Sequence, residues 1–301
     1  MAKTVRQTIK EITKKHLDSG SRCYGQCLTA VGWVGGTLPE LYEEDGMIEL
    51  SMADVAGGGI VTGAALAGER PIYVVRYQGF QWYNSPIIAN YAMKSKEIWQ
   101  RPCPLLIRSI AMEGGIGPVA GSSHHSIYQR MPGVKVVSPM TPEEYKYVYD
   151  QFMKDDDVYY ISEHRKSYDN TEELENIIHD EADITLFPIS VTRFAAQEAA
   201  RNLEEKGLKV NVVHQLWIKP FDFKEEWQRA LSSSKHGGIV LDDDYEEGAA
   251  SSIAHRMMMD VDKKVRTFCL RHRTAGFHPT VDNLPPNALE IEKRIKEICN
   301  V

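Results

Sequence analysis

The stretch from Met47 to Pro71, MIELSMADVAGGGIVTGAALAGERP, constrains this chain more than any other. Ile48, Leu50 and Met52 alternate as a short strand, and Asp54 stands as a lone carboxylate at its end. Gly57, Gly58 and Gly59 follow, then a helix of small residues through Ala64, Ala65, Leu66 and Ala67, which Gly68 closes. Arg70 and Pro71 lead into a second apolar strand, Ile72 to Arg76. A strand, a single acid and a glycine-rich helix start is the order in which α/β enzymes set a reactive group beside a ligand. Glycine and alanine also let backbones approach closely, so the same pattern serves a tightly packed helix with no ligand.

With 301 residues the chain has room for two domains of ordinary size, each with its own core. A hydrophobic share of 43% beside a charged share of 26% is that of a globular protein, not a disordered one. The net charge of −7 leaves no basic footprint for nucleic acid or an anionic membrane. The longest apolar run, Gly58 to Gly68, is too short and glycine-rich to cross a bilayer. The first twenty residues read as an amphipathic helix closed by Gly20, without the apolar core of a secretion signal. Cys23, Cys27, Cys103, Cys269 and Cys299 are odd in number and scattered, which fits a reducing, cytoplasmic setting and no disulfide framework.

The pattern along the chain is α/β: two domains, each a mostly parallel sheet flanked by helices, at residues 1–176 and 177–301. Arg22 to Leu28 reads as a strand ending in a turn, Leu38 to Glu44 as a short helix, and Ser85 to Trp99 as a longer one. Pro104 to Arg108 is a buried strand running into the glycine-rich run Gly114 to Gly117 and the loop Gly121 to Ser126. That loop carries His124 and His125. No third ligand sits at metal spacing, so no metal site is expected, and a polar loop suited to proton transfer is the better reading. Thr141 caps a helix with early acids. An acidic linker, Asp169 to Asp183, precedes the second α/β unit. There the helix Thr192 to Lys206 shows Phe194, Ala195, Ala199 and Leu203 on one face. Strands are expected at Ile184 to Phe187, Val210 to Val213, Gly238 to Leu241 and Val265 to Leu270. Asp242, Asp243 and Asp244 read as a solvated or interfacial acid run at a strand end.

Gly63 to Gly68 with Arg70 and Pro71 resembles the acid-then-glycine segment of thiamine-diphosphate enzymes of the transketolase and 2-oxo acid dehydrogenase type. Two further runs resemble the beta subunits of 2-oxo acid dehydrogenases, the pyruvate dehydrogenase beta-subunit type. They are Met131 to Pro139 followed by Thr141 to Glu144, and Asp155 to Tyr168. The likeness extends from about Ser21 to the end. It implies a pyrimidine-binding domain followed by a transketolase carboxy-terminal-like domain, and thiamine diphosphate as cofactor. Asp54 then falls where the family has a glutamate that hydrogen-bonds the cofactor's aminopyrimidine. Phe80 falls on the aromatic that packs on that ring, and Gln26 lies in the matching cofactor-binding turn, where the family's two acids are replaced by Gln26 and Cys27. One of His124 and His125 matches the histidine facing the reacting carbon. Pro86 and Ile87 replace the family's Asp-Gln pair, while Asn90 and Lys94 are kept.

No G-D-G run exists in the chain to hold magnesium and diphosphate. Asp155 to Asp157 and Asp242 to Asp244 lack the necessary glycines. The resemblance therefore implies an alpha subunit carrying that half of the site, an α2β2 assembly, and a lipoyl acyltransferase as a further partner. The reaction implied is decarboxylation of a 2-oxo acid with transfer of the acyl group to an acceptor such as lipoamide. A subunit of a split transketolase or carboligase, and a diverged subunit without catalysis, are the alternatives.

Overall fold

The computed structural model describes residues 2–113, 121–275, 281 and 283–301. The run Gly114 to Gly117 lies outside them. Two compact units divide between Glu173 and Leu174.

In the first unit, six strands form a sheet. They are β1 (Cys23–Gly25), β2 (Met47–Glu49), β3 (Ile72–Val75), β4 (Leu105–Ala111), β5 (Val134–Val137) and β6 (Val158–His164). Their order is β2-β1-β3-β4-β6-β5, and every neighbouring pair is parallel. β3, β4 and β6 are buried at every position. Both faces of a parallel sheet are covered, which is why these strands read as continuous apolar runs rather than as alternation. One charge pair interrupts that core. Arg108 on β4 donates from Nε and Nη2 to Glu163 on β6, at 3.0 and 2.8 Å, and from Nη2 to Thr37 at 3.1 Å. The Tyr168 hydroxyl donates to the same carboxylate. Burial works against the Arg108 charge, yet Glu163 holds its pKa above the ordinary value.

The helices over this sheet begin where their caps dictate. Val5–Asp18 starts with a capping box between Thr4 and Gln7, and Pro142–Lys154 with Thr141 as cap and proline in its first turn. The two pack together, and His16 Nδ1 lies 3.0 Å from the Tyr149 hydroxyl. Elsewhere the structure departs from the sequence reading. Leu38 to Glu44 is not a helix; a single 3-10 turn, Glu43–Asp45, stands there, and residues 31–35 trace a left-handed turn. The helix expected from Ser85 starts earlier, at Gln81. It passes through Pro86 and widens to a π turn, Ile88–Ala92, before Met93–Trp99. A proline inside the ladder removes one donor, and the wider turn follows directly upon it.

The largest difference is at the central stretch. β2 ends at Glu49, and the helix Asp54–Leu66 runs straight through the three glycines instead of starting after them. Packing explains this. A Cβ on Gly58 would come within 2.7 Å of the Asn84 carbonyl oxygen, and one on Gly57 within 2.8 Å of the Tyr73 hydroxyl. The glycines make room for a neighbouring helix and strand, so Asp54 occupies the first helical turn.

In the second unit, β7 (Ile184–Pro188), β8 (Val210–Val212), β9 (Gly238–Tyr245) and β10 (Val265–Leu270) form a parallel sheet in the order β10-β9-β7-β8. Ile177, within the expected linker, already bridges Val212. The helix Thr192–Glu204 turns Ala196, Ala199, Ala200 and Leu203 into the core, leaving Phe194 and Ala195 part-exposed. Asp242, Asp243 and Asp244 are buried within β9 rather than solvated. Asp242 accepts from the Asp243 amide at 2.8 Å, and Asp244 from the Tyr245 amide at 2.7 Å. No helix among the described residues is long and apolar enough to cross a membrane.

Two stability predictions come from the first unit. Arg108→Met leaves the Glu163 carboxylate buried without its cation, and should cost about 3–5 kcal/mol in urea unfolding. A loss under 1 kcal/mol would mean the pair is not holding the sheet. Burial also lowers the pKa of His16 from 6.5 to about 4. A depressed histidine contributes stability that is fully present above pH 6.5 and is lost as pH falls toward 4. Urea midpoints should therefore decline through that window, and His16→Gln, which keeps a hydrogen-bonding side chain for Tyr149, should flatten the slope.

Candidate active site

β2, β1 and β3 are adjacent and parallel, so the loops that leave their carboxyl ends converge. Gln26 and Cys27 follow β1, Asp54 comes five residues after β2, and Arg76 and Tyr77 follow β3. Phe80 closes the 3-10 turn Gln78–Phe80 just beyond. Gln26, Asp54 and Phe80 line one cavity of about 220 Å³, together with Cys27, Met52, Tyr73, Val74, Val75, Arg76 and Tyr77. The turn after β1 is held in place by the Glu49 carboxylate, which accepts from the Leu28 amide at 2.9 Å. Cys27 takes a positive φ of 53° there.

Asp54 is half-buried, and burial raises its pKa above the ordinary carboxylate value; its own backbone and the Gln26 side chain pull it back down. Its place in the first helical turn acts in that second direction, since the helix terminus favours negative charge. Burial likewise raises the Tyr73 hydroxyl pKa, and the Asp54 charge adds to it. Competing local effects thus act on the Asp54 carboxyl, with no cation paired to it among the described residues. The Gln26 side chain acts on Asp54 as a hydrogen-bonding neighbour would, lowering its pKa. Its Nε2 is buried and lacks an acceptor among the described residues. A donor of this kind and a half-buried carboxyl in a cavity also lined by Phe80 suit a flat heterocycle bearing nitrogen acceptors and donors.

The two histidines are not among the side chains lining this cavity. The His124 backbone amide donates to Gln78 Oε1 at 2.6 Å, and its ring stands edge-on to Trp82 with centroids 6.2 Å apart. His125 is buried, with Nδ1 3.1 Å from the Ser162 hydroxyl. The helix that follows is a single turn, Ser126–Gln129. Gln78 ties the regions together. From the turn that carries Phe80, its Nε2 donates to Ser162 Oγ at 2.9 Å while its Oε1 receives His124. Sequence reading passed over Gln78, Tyr73 and Arg76. For Arg76 a signal existed: a cation at the carboxyl end of a strand whose other residues are apolar.

Comparison with known proteins follows the same division of the chain. Residues 12–171 match the model of the transketolase pyrimidine binding domain, and residues 175–284 match that of the transketolase C-terminal domain. The chain is similar to the acetoin:2,6-dichlorophenolindophenol oxidoreductase subunit beta of Cupriavidus necator, with 25% identity over 87% of this chain and 83% of that one. It is also similar to the 2-oxoisovalerate dehydrogenase subunit beta of Bacillus subtilis, with 27% identity over 84% of each chain. The pyruvate dehydrogenase E1 component subunit beta of Rickettsia felis is 23% identical over 87% of this chain and 86% of its own. Among solved structures, a split gene transketolase described as an inactive beta4 tetramer superposes with a TM-score of 0.75 at 14% identity, over 100% of this chain and 99% of that one. The transketolase of Campylobacter jejuni gives 0.72 at 15% identity, over 99% of this chain and 45% of that one. With parallel α/β sheets in both units and both domain models matched in order, the chain belongs to the transketolase family, alongside relatives named as beta subunits of 2-oxo acid dehydrogenases.

Proposed function

We propose that this chain is the beta subunit of a two-chain, cytoplasmic thiamine-diphosphate enzyme. That enzyme decarboxylates a 2-oxo acid and passes the acyl group to an acceptor such as lipoamide. The observation that carries this reading is the meeting of Gln26, Asp54 and Phe80 in one largely apolar cavity. When bound, thiamine diphosphate supplies the electron sink that makes loss of carbon dioxide from a 2-oxo acid feasible. In this chain Asp54 would hold a proton at a ring nitrogen of the aminopyrimidine, and its raised pKa suits that sharing. Gln26 Nε2 would donate to the same ring system. Phe80 would offer it a stacking face, and the apolar walls would keep water out. His124 and His125 are the candidates for proton transfer at the reacting carbon.

A partner is called for because neither acid run of this chain has the glycines of a diphosphate loop, and the run Asp155 to Asp157 is already paired. Asp155 pairs with Lys135, Asp156 with Arg70 and Asp157 with Lys96. Burial would raise the Asp155 pKa, but Lys135 and Tyr159 hold it near 2, the mark of a structural ion pair. The magnesium and diphosphate ligands are accordingly assigned to an alpha subunit, in an α2β2 assembly, with a lipoyl acyltransferase as the acceptor's carrier.

The test begins with co-purification of the tagged chain with its partner. Calorimetric titration with thiamine diphosphate and magnesium should give tight binding to the complex and weak binding to the chain alone. In the complex, Asp54→Ala should lower turnover about 100-fold or more. Phe80→Ala should weaken cofactor binding by about 1 kcal/mol. Stoichiometric micromolar binding to the isolated chain, or unchanged turnover in Asp54→Ala, would overturn the reading.

A further inference from the structure

Arg76 is a cation facing the Asp54 cavity, and the chemistry above gives it no role. Its Nη1 donates to the Cys27 carbonyl at 3.2 Å, and its guanidinium lies 6.0 Å from the Tyr77 ring centroid. No carboxylate among the described residues pairs with it. Arg76 and Tyr77 also form one wall of a narrow cleft beside the cavity, whose other wall includes Gly35, Arg165 and Tyr168. Arg165 donates to the Met112 thioether at 3.8 Å, and again no carboxylate among the described residues pairs with it. A third guanidinium reaches the same place: Arg6 donates to the Gly35 carbonyl, but Asp169 neutralises it at 2.7 Å. A Cβ on Gly35 would lie 3.6 Å from Arg165 Nη2 and 3.8 Å from Arg6 Nη1, so the cations gather tightly about this turn. Two part-buried guanidinium groups with neutral partners leave several donors unspent, in the fork geometry that carboxylate and phosphate match.

We infer that Arg76 and Arg165 form an anion subsite adjoining the cavity, which takes a carboxylate or phosphate on the part of the substrate that survives the reaction. The inference rests on the reading of this chain as part of a 2-oxo acid decarboxylating enzyme, and it narrows the substrate to 2-oxo acids that carry a second anionic group. The departing carboxylate is the wrong occupant. It loses its charge as carbon dioxide forms, so a strong guanidinium pair would stabilise the ground state more than the transition state and slow the step. A distal anion keeps its charge throughout, and binding it positions the reacting carbon at no such cost.

The experiment compares kcat/KM of the complex for pyruvate, 2-oxoglutarate and 3-phosphohydroxypyruvate. Wild-type complex should favour one of the two doubly anionic acids over pyruvate by about 30-fold or more. Whichever it favours identifies the anion as carboxylate or phosphate. In Arg76→Met the preference should collapse toward unity, chiefly through KM. Arg165→Met should reduce it in the same direction, and Arg76→Lys should retain part of it. A wild-type preference for pyruvate, or a preference left intact in both methionine variants, overturns the subsite while the decarboxylase reading stands. Should the complex consume no 2-oxo acid, that reading fails instead. Calorimetry of the full chain with 2-oxoglutarate and with inorganic phosphate then decides the subsite: binding lost in Arg76→Met supports it, and equal behaviour of wild type and variant overturns it.

Discussion

The site depends on how closely the Asp54–Leu66 helix approaches the elements beneath it. At Gly58 the neighbour is the Asn84 carbonyl oxygen, only 2.7 Å from where a Cβ would stand. That atom is backbone inside another helix and cannot give way, so any side chain at Gly58 would push the two helices apart. Asp54, one turn earlier, would move with its helix. The Thr62 hydroxyl donates to the Gly58 carbonyl at 2.7 Å, spending a buried donor within the same helix and leaving the contact face to the glycines. Because β1 lies between β2 and β3, a helix seated this deeply brings Asp54 toward the turn after β1 and toward the aromatic turn after β3. Distance, rather than any single polar bond, assembles Gln26, Asp54 and Phe80.

Much of this was legible in the sequence because it rests on local rules. The buried strands β3, β4 and β6 declare themselves as apolar runs, and Thr141 with Pro142 and two acids fixes its helix start within a residue. Gly68 and Gly207 stand at positive φ, where helix ends call for them. The misreadings are non-local. Three glycines look like a break before a helix, and only the presence of Asn84 and Tyr73 turns them into its packing face. Three aspartates in a row look solvated, and only their place inside β9 makes them buried. Arg108 ends a strand that reads as buried, but its partner is unseen until Glu163, fifty-five positions away, is brought beside it. Residues 31–35 carry two glycines, but the left-handed path they take is not something their side chains announce.

The acids of the first unit fall into two electrostatic classes, and the distinction bears on which of them can do chemistry. Glu163 has Arg108 and the Tyr168 hydroxyl bonded to it, and Asp155 has Lys135 and Tyr159. Lys135 and Tyr159 hold the Asp155 pKa at about 2, so that carboxylate stays ionised across the working range. Asp54 has only partial support: a helix terminus, a nearby amide, and burial acting against both. Perturbation by burial without a cation is the condition under which a carboxyl takes up and releases a proton near the pH where an enzyme works.

The same contrast bears on an aspartate at a position where the family resemblance implies the longer glutamate. A side chain shorter by one methylene reaches less far, and the loss must be made up by the backbone. Here the backbone does advance. The helix begins at Asp54 itself, so the carboxyl is presented from the first turn of a helix that the glycines have allowed to sink toward β3. Tyr73, on β3, registers that proximity through the rise in its own pKa caused in part by the Asp54 charge. Gly57, Gly58 and the shortened acid are therefore one device. The glycines supply closeness, and the shorter acid stands on the wall of the cavity that this closeness brings together. Backbone packing sets where Asp54 stands on the cavity wall, and Arg76, at the end of the next strand, lines the same cavity.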